Sequence, residues 1–446
     1  MSFSAASLHA VLEVLIPEGA AGFVVALSGG ADSAALLGAM CSLEGNLSSQ
    51  PLRAVHIDHG LQAAASEFRD ACTLLCKHLS VPLQIISVTV SAQTGASVEA
   101  AARDARYAAL AAALAPKECL LTAHHRKDQA ETLLLQALRG AGVKGMAAMP
   151  GRRVLGLGWH VRPVLDVPQG ELLEFGARFA GAKSLDPMNQ DVRFDRSYLR
   201  NTVWPMIEAR WPGAEAALSR TARHMAEAQS LLDSSGAADL VLLRDGEALS
   251  VPGLRVLPQL RRMNAVRLWL REASVEAPSA MRLTEALRQI FDAQEDHLPA
   301  IVWGDSALRR YRSRLFVTAA HPPRLQEPRR WEAMRGSSVE LGPNLGRLTW
   351  VAHPGGISGS ALPRFVTVRH RDGGETLKPA KSASTQSVQH LFQTRGVLPW
   401  LRDALPLVFA GDALIAVADL WMDARWCARA GEPGLAIEWF GAPIIC

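Results

Sequence analysis

The chain has 446 residues, 49% of them hydrophobic and 20% charged, with a formal net charge of +4. That length exceeds a single hydrophobic core and predicts about two to four domains. The composition excludes a disordered or collagen-like chain, and the mild positive charge permits an anionic partner without demanding one.

In chain order, the first element is a strand at Val24 to Leu27. It is continuously apolar rather than alternating, so both of its faces are expected to be covered. It runs into Ser28-Gly29-Gly30-Ala31-Asp32-Ser33, where an apolar helix pattern begins. The glycines permit backbone angles and close approaches that a β-carbon blocks, and Asp32 or Ser33 can cap the helix. Backbone N–H groups gathered at a helix N-terminus make a phosphate site. No Lys precedes the Ser, which excludes a Walker A loop, and the spacing does not fit Gly-x-Gly-x-x-Gly.

A strand at Leu52 to Ile57 ends in "VHIDHGL", and a helix is expected from Ala63 to Leu79. A strand at Leu83 to Val88, a helix at Ser97 to Leu114, a strand at Cys119 to Ala123 and a helix from Lys127 to Leu138 continue the rhythm. Strands alternating with helices predict a parallel sheet covered on both faces. Ligands on such sheets bind outside the carboxyl ends of the strands. Ser28, His56-x-Asp58-His59 and His124-His125 all fall there.

After "RWPG" (Arg210 to Gly213) the pattern becomes helical, at Ala214 to Leu232 and again from Leu257 to Ala293. A short strand pair is expected at Ala300 to Val302 and Leu315 to Thr318. The Pro- and Arg-rich segment His321 to Glu332 reads as a linker. Beyond it lie β-like stretches, a helix at Ser387 to Thr394 and a final strand pair. The expected domains are 1–212, 213–325 and 326–446.

Most of the basic residues are Arg; the lysines are Lys77, Lys117, Lys127, Lys144, Lys183, Lys378 and Lys381. Arg suits phosphate binding and base stacking. Cys41, Cys72, Cys76, Cys119, Cys427 and Cys446 form no Cys-x-x-Cys, which argues against a zinc or iron–sulfur site. Buried thiols in a reducing compartment are expected instead. The N-terminus lacks a basic start, and Glu13 interrupts its apolar stretch. The apolar run from Leu405 to Leu420 is broken by Asp412 and Asp419, short of a membrane span. A soluble, cytoplasmic protein is expected.

Three further segments carry candidate chemistry. Glu99, Arg103 and Arg106 stand at i, i+4 and i+7, on one face of a helix. His124, His125, Asp128 and Glu131 resemble a metal set, but adjacent histidines do not make a zinc-protease geometry. A magnesium site shared with phosphates needs only one or two carboxylates, and Asp32 could serve. Asp186, Asn189, Asp191, Arg193, Asp195 and Arg196 crowd one polar loop.

"SGGADS" resembles the PP-loop of ATP pyrophosphatases, which split ATP between its α- and β-phosphates. "VHIDHGL", "EAAARDARY", "AHHRKDQAET", "LRGAG", "RPVLD" and "DPMNQDVRFDRSYLR" follow in the order found in tRNA-Ile lysidine synthetases. So does the C-terminal "GGETLKP…LFQTRGVLPWLRDALPLVFAGDALIAVADLW". The resemblance spans nearly the whole chain, and the combination is far more specific than the loop alone. The fold it implies is α/β: a parallel-sheet PP-loop ATPase domain, a helical middle domain and a small α+β C-terminal domain.

The resemblance implies a two-step ligation on the wobble cytidine of tRNA-Ile with a CAU anticodon. The cytosine O2 attacks the α-phosphate of ATP, and free L-lysine then displaces AMP from C2. ATP and Mg²⁺ are the implied cofactors, no membrane is involved, and a homodimer is compatible with the reading. Carried over by residue, Ser28, Gly29, Gly30, Ala31, Asp32 and Ser33 hold the nucleotide, with Asp32 as the Mg²⁺ ligand. Arg103 and Arg106 face the phosphates or the cytidine, and His124 and Asp128 line the same cleft. The Asp186 to Arg196 loop helps to close it. A tRNA thiolase, or a tRNA-binding protein with a decayed ATP site, are the alternatives; the cysteine spacing and the intact loop speak against them.

Two positions depart from the family pattern. The family usually reads His-His-x-Asp-Asp-Gln, and Lys127 stands in place of the first Asp. The C-terminal helix start "TQSVQHLFQ" is less basic than usual, leaving Lys378, Lys381, Arg395 and Arg402 for phosphate contacts. The chemistry also demands a base. Lysine's amine has an ordinary pKa near 10.4, so roughly one molecule in 10³ is neutral near pH 7.4, an unassisted penalty of about 4 kcal/mol. His124, Asp128 and Glu131 are candidates.

Overall fold

The structure, a computed structural model, describes residues 2–47, 49–58, 65–88, 98–179, 193–294, 298–380, 382 and 384–441. The side chains of residues 65 and 98–100 are outside that description, as are His59, Asp186, Asn189, Asp191 and Lys381. Two compact units are present, Met1–Leu232 and Asp233–Cys446.

The first unit follows the expected rhythm: α1 (Ala5–Leu15), β1 (Gly22–Ala26), α2 (Ala31–Cys41), β2 (Leu52–Asp58), α3 (Ala65–His78), β3 (Leu83–Ser87), α4 (Val98–Ala112), β4 (Glu118–Leu121) and α5 (Arg126–Leu138). Then come α6 (Val143–Met146), β5 (Arg152–Leu155), β6 (Gly158–Val161), α7 (Gln169–Gly176), α8 (Asp195–Tyr198), a π turn at Leu199–Val203 and α9 (Trp204–Arg210). The sheet order is β3-β2-β1-β4-β6-β5. All neighbours are parallel except β5, which pairs antiparallel with β6 as a hairpin on the edge.

β1 is continuously apolar because each face has its own core. Val24 joins Val55, Ile57, Leu110, Leu114 and Leu120 on one side. Phe23, Val25 and Leu27 join Leu8, Leu12 and Leu36 on the other. Chain order reverses between β1 and β4, so loops leaving these two neighbouring strands diverge and open a crevice.

Arg53 on β2 reaches across to Glu118, its Nε donating to Oε1 at 3.0 Å, while the Ala115 N–H donates to Oε2 at 2.8 Å. The Arg53 hydrogen bond holds the Glu118 carboxyl below its ordinary pKa against the opposing effect of burial. A depressed carboxyl stabilises the fold above its unfolded pKa of about 4.3 and loses that contribution as pH falls through the folded value. Glu118→Gln is therefore expected to cost about 1–3 kcal/mol at pH 7 and far less at pH 3, read by denaturant unfolding at both pH values.

The Ala-rich helix α10 is longer than expected, Ala214–Leu243, and the division between the two units falls inside it. In the second unit, helices Val251–Val256, Gln259–Glu272 and Ala280–Asp292 accompany a five-stranded antiparallel sheet. Leu283, Ala286, Leu287 and Ile290 recur at helical spacing and are the buried face of the last helix. The expected strand pair is corrected here: Ala300–Trp303 and Arg314–Ala319 are not partners, because Ser306–Tyr311 lies between them. The expected linker is also shorter. Arg329–Glu332 is a strand paired with Phe365–Arg369, and Leu325 is buried in the same core as Trp331. Trp331 and Trp350 stack there with ring centroids 4.6 Å apart. The helix expected near Ser387 is Val388–Arg395, capped by the Ser387 hydroxyl and ended by Gly396 at φ 79. Among the described residues no helix is long and apolar enough to cross a membrane.

Candidate active site

The loop after β1 is built from hydroxyls. Ser33 Oγ donates to the Gly30 carbonyl at 2.9 Å and lies 3.0 Å from Ser28 Oγ, which accepts from the Gly30 N–H at 3.2 Å. The sequence suggested Asp32 or Ser33 as the helix cap. The N-cap is instead Gly30, without a side-chain hydrogen bond, because Ser33 is occupied in bracing the loop. Gly29 sits at φ +85, and a Cβ there would come within 2.8 Å of the Phe68 ring. Only glycine fits that position. His56 turns beneath the loop, its Nδ1 2.8 Å from the Leu27 carbonyl, as a buried brace.

Asp32, in the first turn of α2, approaches the N-terminus of α5. Its Oδ2 lies 3.5 Å from the Gln169 amide nitrogen and 3.8 Å from His125 Nε2, while its Oδ1 is buried without a partner. Burial raises the Asp32 pKa; His125 opposes the shift and the Asp128 charge adds to it. An orphaned carboxylate oxygen at a helix N-terminus fits a cation shared with phosphates. Among the described residues no cluster of three or more ligating side chains could hold a metal alone, so phosphate oxygens would have to complete such a shell.

His124 and His125 leave β4 in different directions. His125 is buried; its Nε2 is 3.5 Å from Asp128 Oδ2, and its backbone N–H donates to that oxygen at 3.1 Å. Its position between Asp32 and Asp128 makes His125, rather than His124, the imidazole that joins the two carboxylates. His124 is half-buried, with its Nδ1 2.8 Å from Thr122 Oγ1, and Thr122 is also 2.8 Å from His160 Nε2. Burial pushes the pKa of His124 down to about 3 and that of His160 to about 2, with Arg162 adding to both shifts.

Arg103 and Arg106 do share a face, as their spacing predicted. With Arg153 they surround the Tyr107 ring, guanidinium carbons 5.4, 5.5 and 5.2 Å from its centroid. Arg162 is 3% exposed; burial lowers its pKa to about 10, and its Nε has no partner. These cations cluster around two imidazoles: Arg162, Arg153 and Arg103 act on His160, and Arg162 and Arg106 on His124.

Beside His125, acids pair with bases. Glu131 is fully enclosed; Arg196 Nε donates to it at 3.1 Å and Arg200 Nε at 2.7 Å. The same arginines reach Asp128 Oδ1 at 3.0 and 2.8 Å. Burial alone would raise the Asp128 pKa, but His125, Arg196, His124 and Arg200 hold it well below the ordinary carboxylate range. Of the residues expected in the polar loop, Arg196 therefore reaches the site, whereas Asp195 faces the exposed Arg139 at 3.4 Å.

Sequence reasoning missed Thr122, Arg153, His160, Arg162 and Arg200. His160 and Arg162 carried a signal: polar residues two apart in the apolar run "WHVRPVL" share one face of a strand.

A parallel sheet that reverses beside a Ser-Gly-Gly-Ala-Asp-Ser loop defines a PP-loop nucleotide-binding protein. Residues 4–207 match the family described as PP-loop domain, 249–316 the TilS substrate binding domain and 366–439 the TilS substrate C-terminal domain. The tRNA(Ile)-lysidine synthase of Alkalilimnicola ehrlichii is 39% identical over 94% of both chains. That of Coxiella burnetii is 38% identical over 93% of this chain and 92% of its own. The chain belongs to the tRNA(Ile)-lysidine synthase family. Among solved structures, the U34-tRNA thiolase NcsA of Methanococcus maripaludis aligns with a TM-score of 0.41 at 14% identity, over 50% of this chain and 78% of that one.

Proposed function

We propose that this enzyme ligates free L-lysine to C2 of the wobble cytidine of tRNA-Ile bearing a CAU anticodon, converting ATP to AMP and pyrophosphate. The observation that carries the reading is the convergence of the Ser28–Ser33 loop, Asp32, Asp128 and the Tyr107 arginines on one crevice, in a chain of this family. Residues 1–212 catalyse, and 213–325 and 326–446 hold tRNA. The backbone N–H groups of the loop would bind phosphate. Asp32 would hold Mg²⁺, which on binding supplies charge neutralisation between the phosphates. Arg103 and Arg106 place positive charge where the α-phosphate gains negative charge during attack.

Lysine must lose a proton before its amine attacks. Of the three candidate bases, Glu131 has no exposed surface and both oxygens held by arginines, so an incoming amine does not reach it. His124 has its Nδ1 committed to Thr122. Asp128 is the remaining group; the charges around it hold it as a carboxylate, which suits it to orient an ammonium, while its low pKa makes it a weak acceptor for the proton. The decisive assay incubates tRNA-Ile carrying a C wobble base with ATP and labelled lysine. Label in the RNA supports the ligase; its absence, with tRNA still bound, would return the thiolase and the ATP-inactive binder to consideration.

The second unit offers a tRNA contact on the Phe365 strand. Arg330 and Arg364 lie 3.9 and 5.2 Å from the Phe365 ring, and the Arg364 side chain is largely exposed. Neutralising both to Gln is expected to weaken tRNA binding and reduce the slope of log K against log salt by about 1.4–1.8, since each lost phosphate contact removes about 0.7–0.9. An unchanged slope in a salt titration would place the phosphate contacts elsewhere.

A further inference from the structure

The hydrogen bonds around Thr122 form a chain with only one consistent direction. Arg153 Nε lies 3.3 Å from His160 Nδ1, and an Arg162 terminal nitrogen lies 3.2 Å from the same atom. Guanidinium nitrogens only donate, so His160 Nδ1 is an acceptor and carries no proton. A neutral His160 therefore bears its proton on Nε2 and donates it to Thr122 Oγ1 at 2.8 Å. Thr122 is buried, and its hydroxyl has one proton to place. Among the described residues its one remaining partner is His124 Nδ1, at 2.8 Å. His124 Nδ1 thus accepts, and the proton of a neutral His124 is on Nε2.

We propose that Thr122 and His160 are positioning residues that lock His124 as the Nε2–H tautomer, making it a hydrogen-bond donor and not a base. Register explains how they meet. Leu120 on β4 pairs with His160 on β6, and residues two and four further along β4 and its exit loop reach the same side. Among the described residues Thr122 is the sole hydrogen-bond partner of His124, so its Nε2–H is left to donate elsewhere. The depressed pKa values of both imidazoles agree with neutral rings at working pH. A neutral donor suits an acceptor oxygen of the nucleotide substrate, a phosphate or the cytosine carbonyl. That last step rests on the ligase reading above; the tautomer rests on the hydrogen bonds alone.

The test uses the full chain with ¹⁵N-labelled histidine, observed by NMR at pH 7, beside steady-state kinetics. The wild type should show a protonated, pyrrole-type Nε2 and an unprotonated, pyridine-type Nδ1 for His124, assigned by its loss in His124→Gln. Thr122→Val should convert that signal to a mixture of tautomers and lower kcat for lysine transfer at least tenfold, with the KM for ATP changed less than threefold. Thr122→Ser should restore both the tautomer and most of kcat. A proton on Nδ1 of His124 in the wild type, or a doubly protonated ring, would overturn the assignment. So would a Thr122→Val protein that loses activity with its tautomer unchanged. A wild type that shows the expected tautomer yet transfers no lysine refutes the ligase reading and leaves the tautomer standing.

Discussion

Asp32→Asn is expected to lower lysine transfer at least a hundredfold, about 2.7 kcal/mol of barrier, while tRNA binding stays within twofold. The substitution keeps the shape of the side chain and removes its charge. In the free protein that charge is poorly served: Oδ1 is buried without a partner, and burial together with Asp128 raises the pKa. Losing it should leave the melting temperature unchanged or slightly higher, the pattern of a residue held for function at a cost to stability. A variant that retains more than a tenth of wild-type turnover would remove Asp32 from the mechanism. A large fall in melting temperature would reassign it to the fold.

The second large effect separates two neighbours. Adjacent helical residues point about 100° apart, and Lys127 and Asp128 face different surroundings. Asp128 meets His125, Arg196 and Arg200, whereas Lys127 places its Nζ 5.6 Å from the ring of buried Trp204. Asp128→Ala leaves the two arginines with Glu131 alone and strips the His125 N–H of its acceptor. Turnover should fall at least a hundredfold, near 2.7 kcal/mol. Lys127→Asp exchanges the cation over Trp204 for the acid that the family resemblance implies there and should alter the rate less than threefold, below about 0.7 kcal/mol. A tenfold acceleration in Lys127→Asp would mean that the missing carboxylate limits this enzyme. Asp128 would then lose its place as the working residue.

Local physics made part of this protein legible in its sequence. The continuous apolar run before Ser28, the paired glycines and the strand–helix alternation each follow from contacts within about twenty residues, so the elements and the loop could be located. Because ligands gather at the carboxyl ends of parallel strands, the same pattern marked Ser28, His56-x-Asp58-His59 and His124-His125 as lying at one end of the sheet. Arg103 and Arg106 were legible for a similar reason, since helical periodicity alone puts them on one face.

Tertiary structure alone decided which side chain meets which. Arg200 finds Glu131 across 69 residues, and His160 finds Thr122 across 38. No local spacing encodes such pairs; they depend on the register of β6 on β4 and on how α8 and the π turn lie against α5. The division of labour between His124 and His125 has the same origin. The two are identical in type and adjacent in sequence, and successive side chains leaving a strand point to opposite sides. Only the neighbours waiting on each side, Thr122 and His160 for one and Asp32 and Asp128 for the other, give them different chemistry.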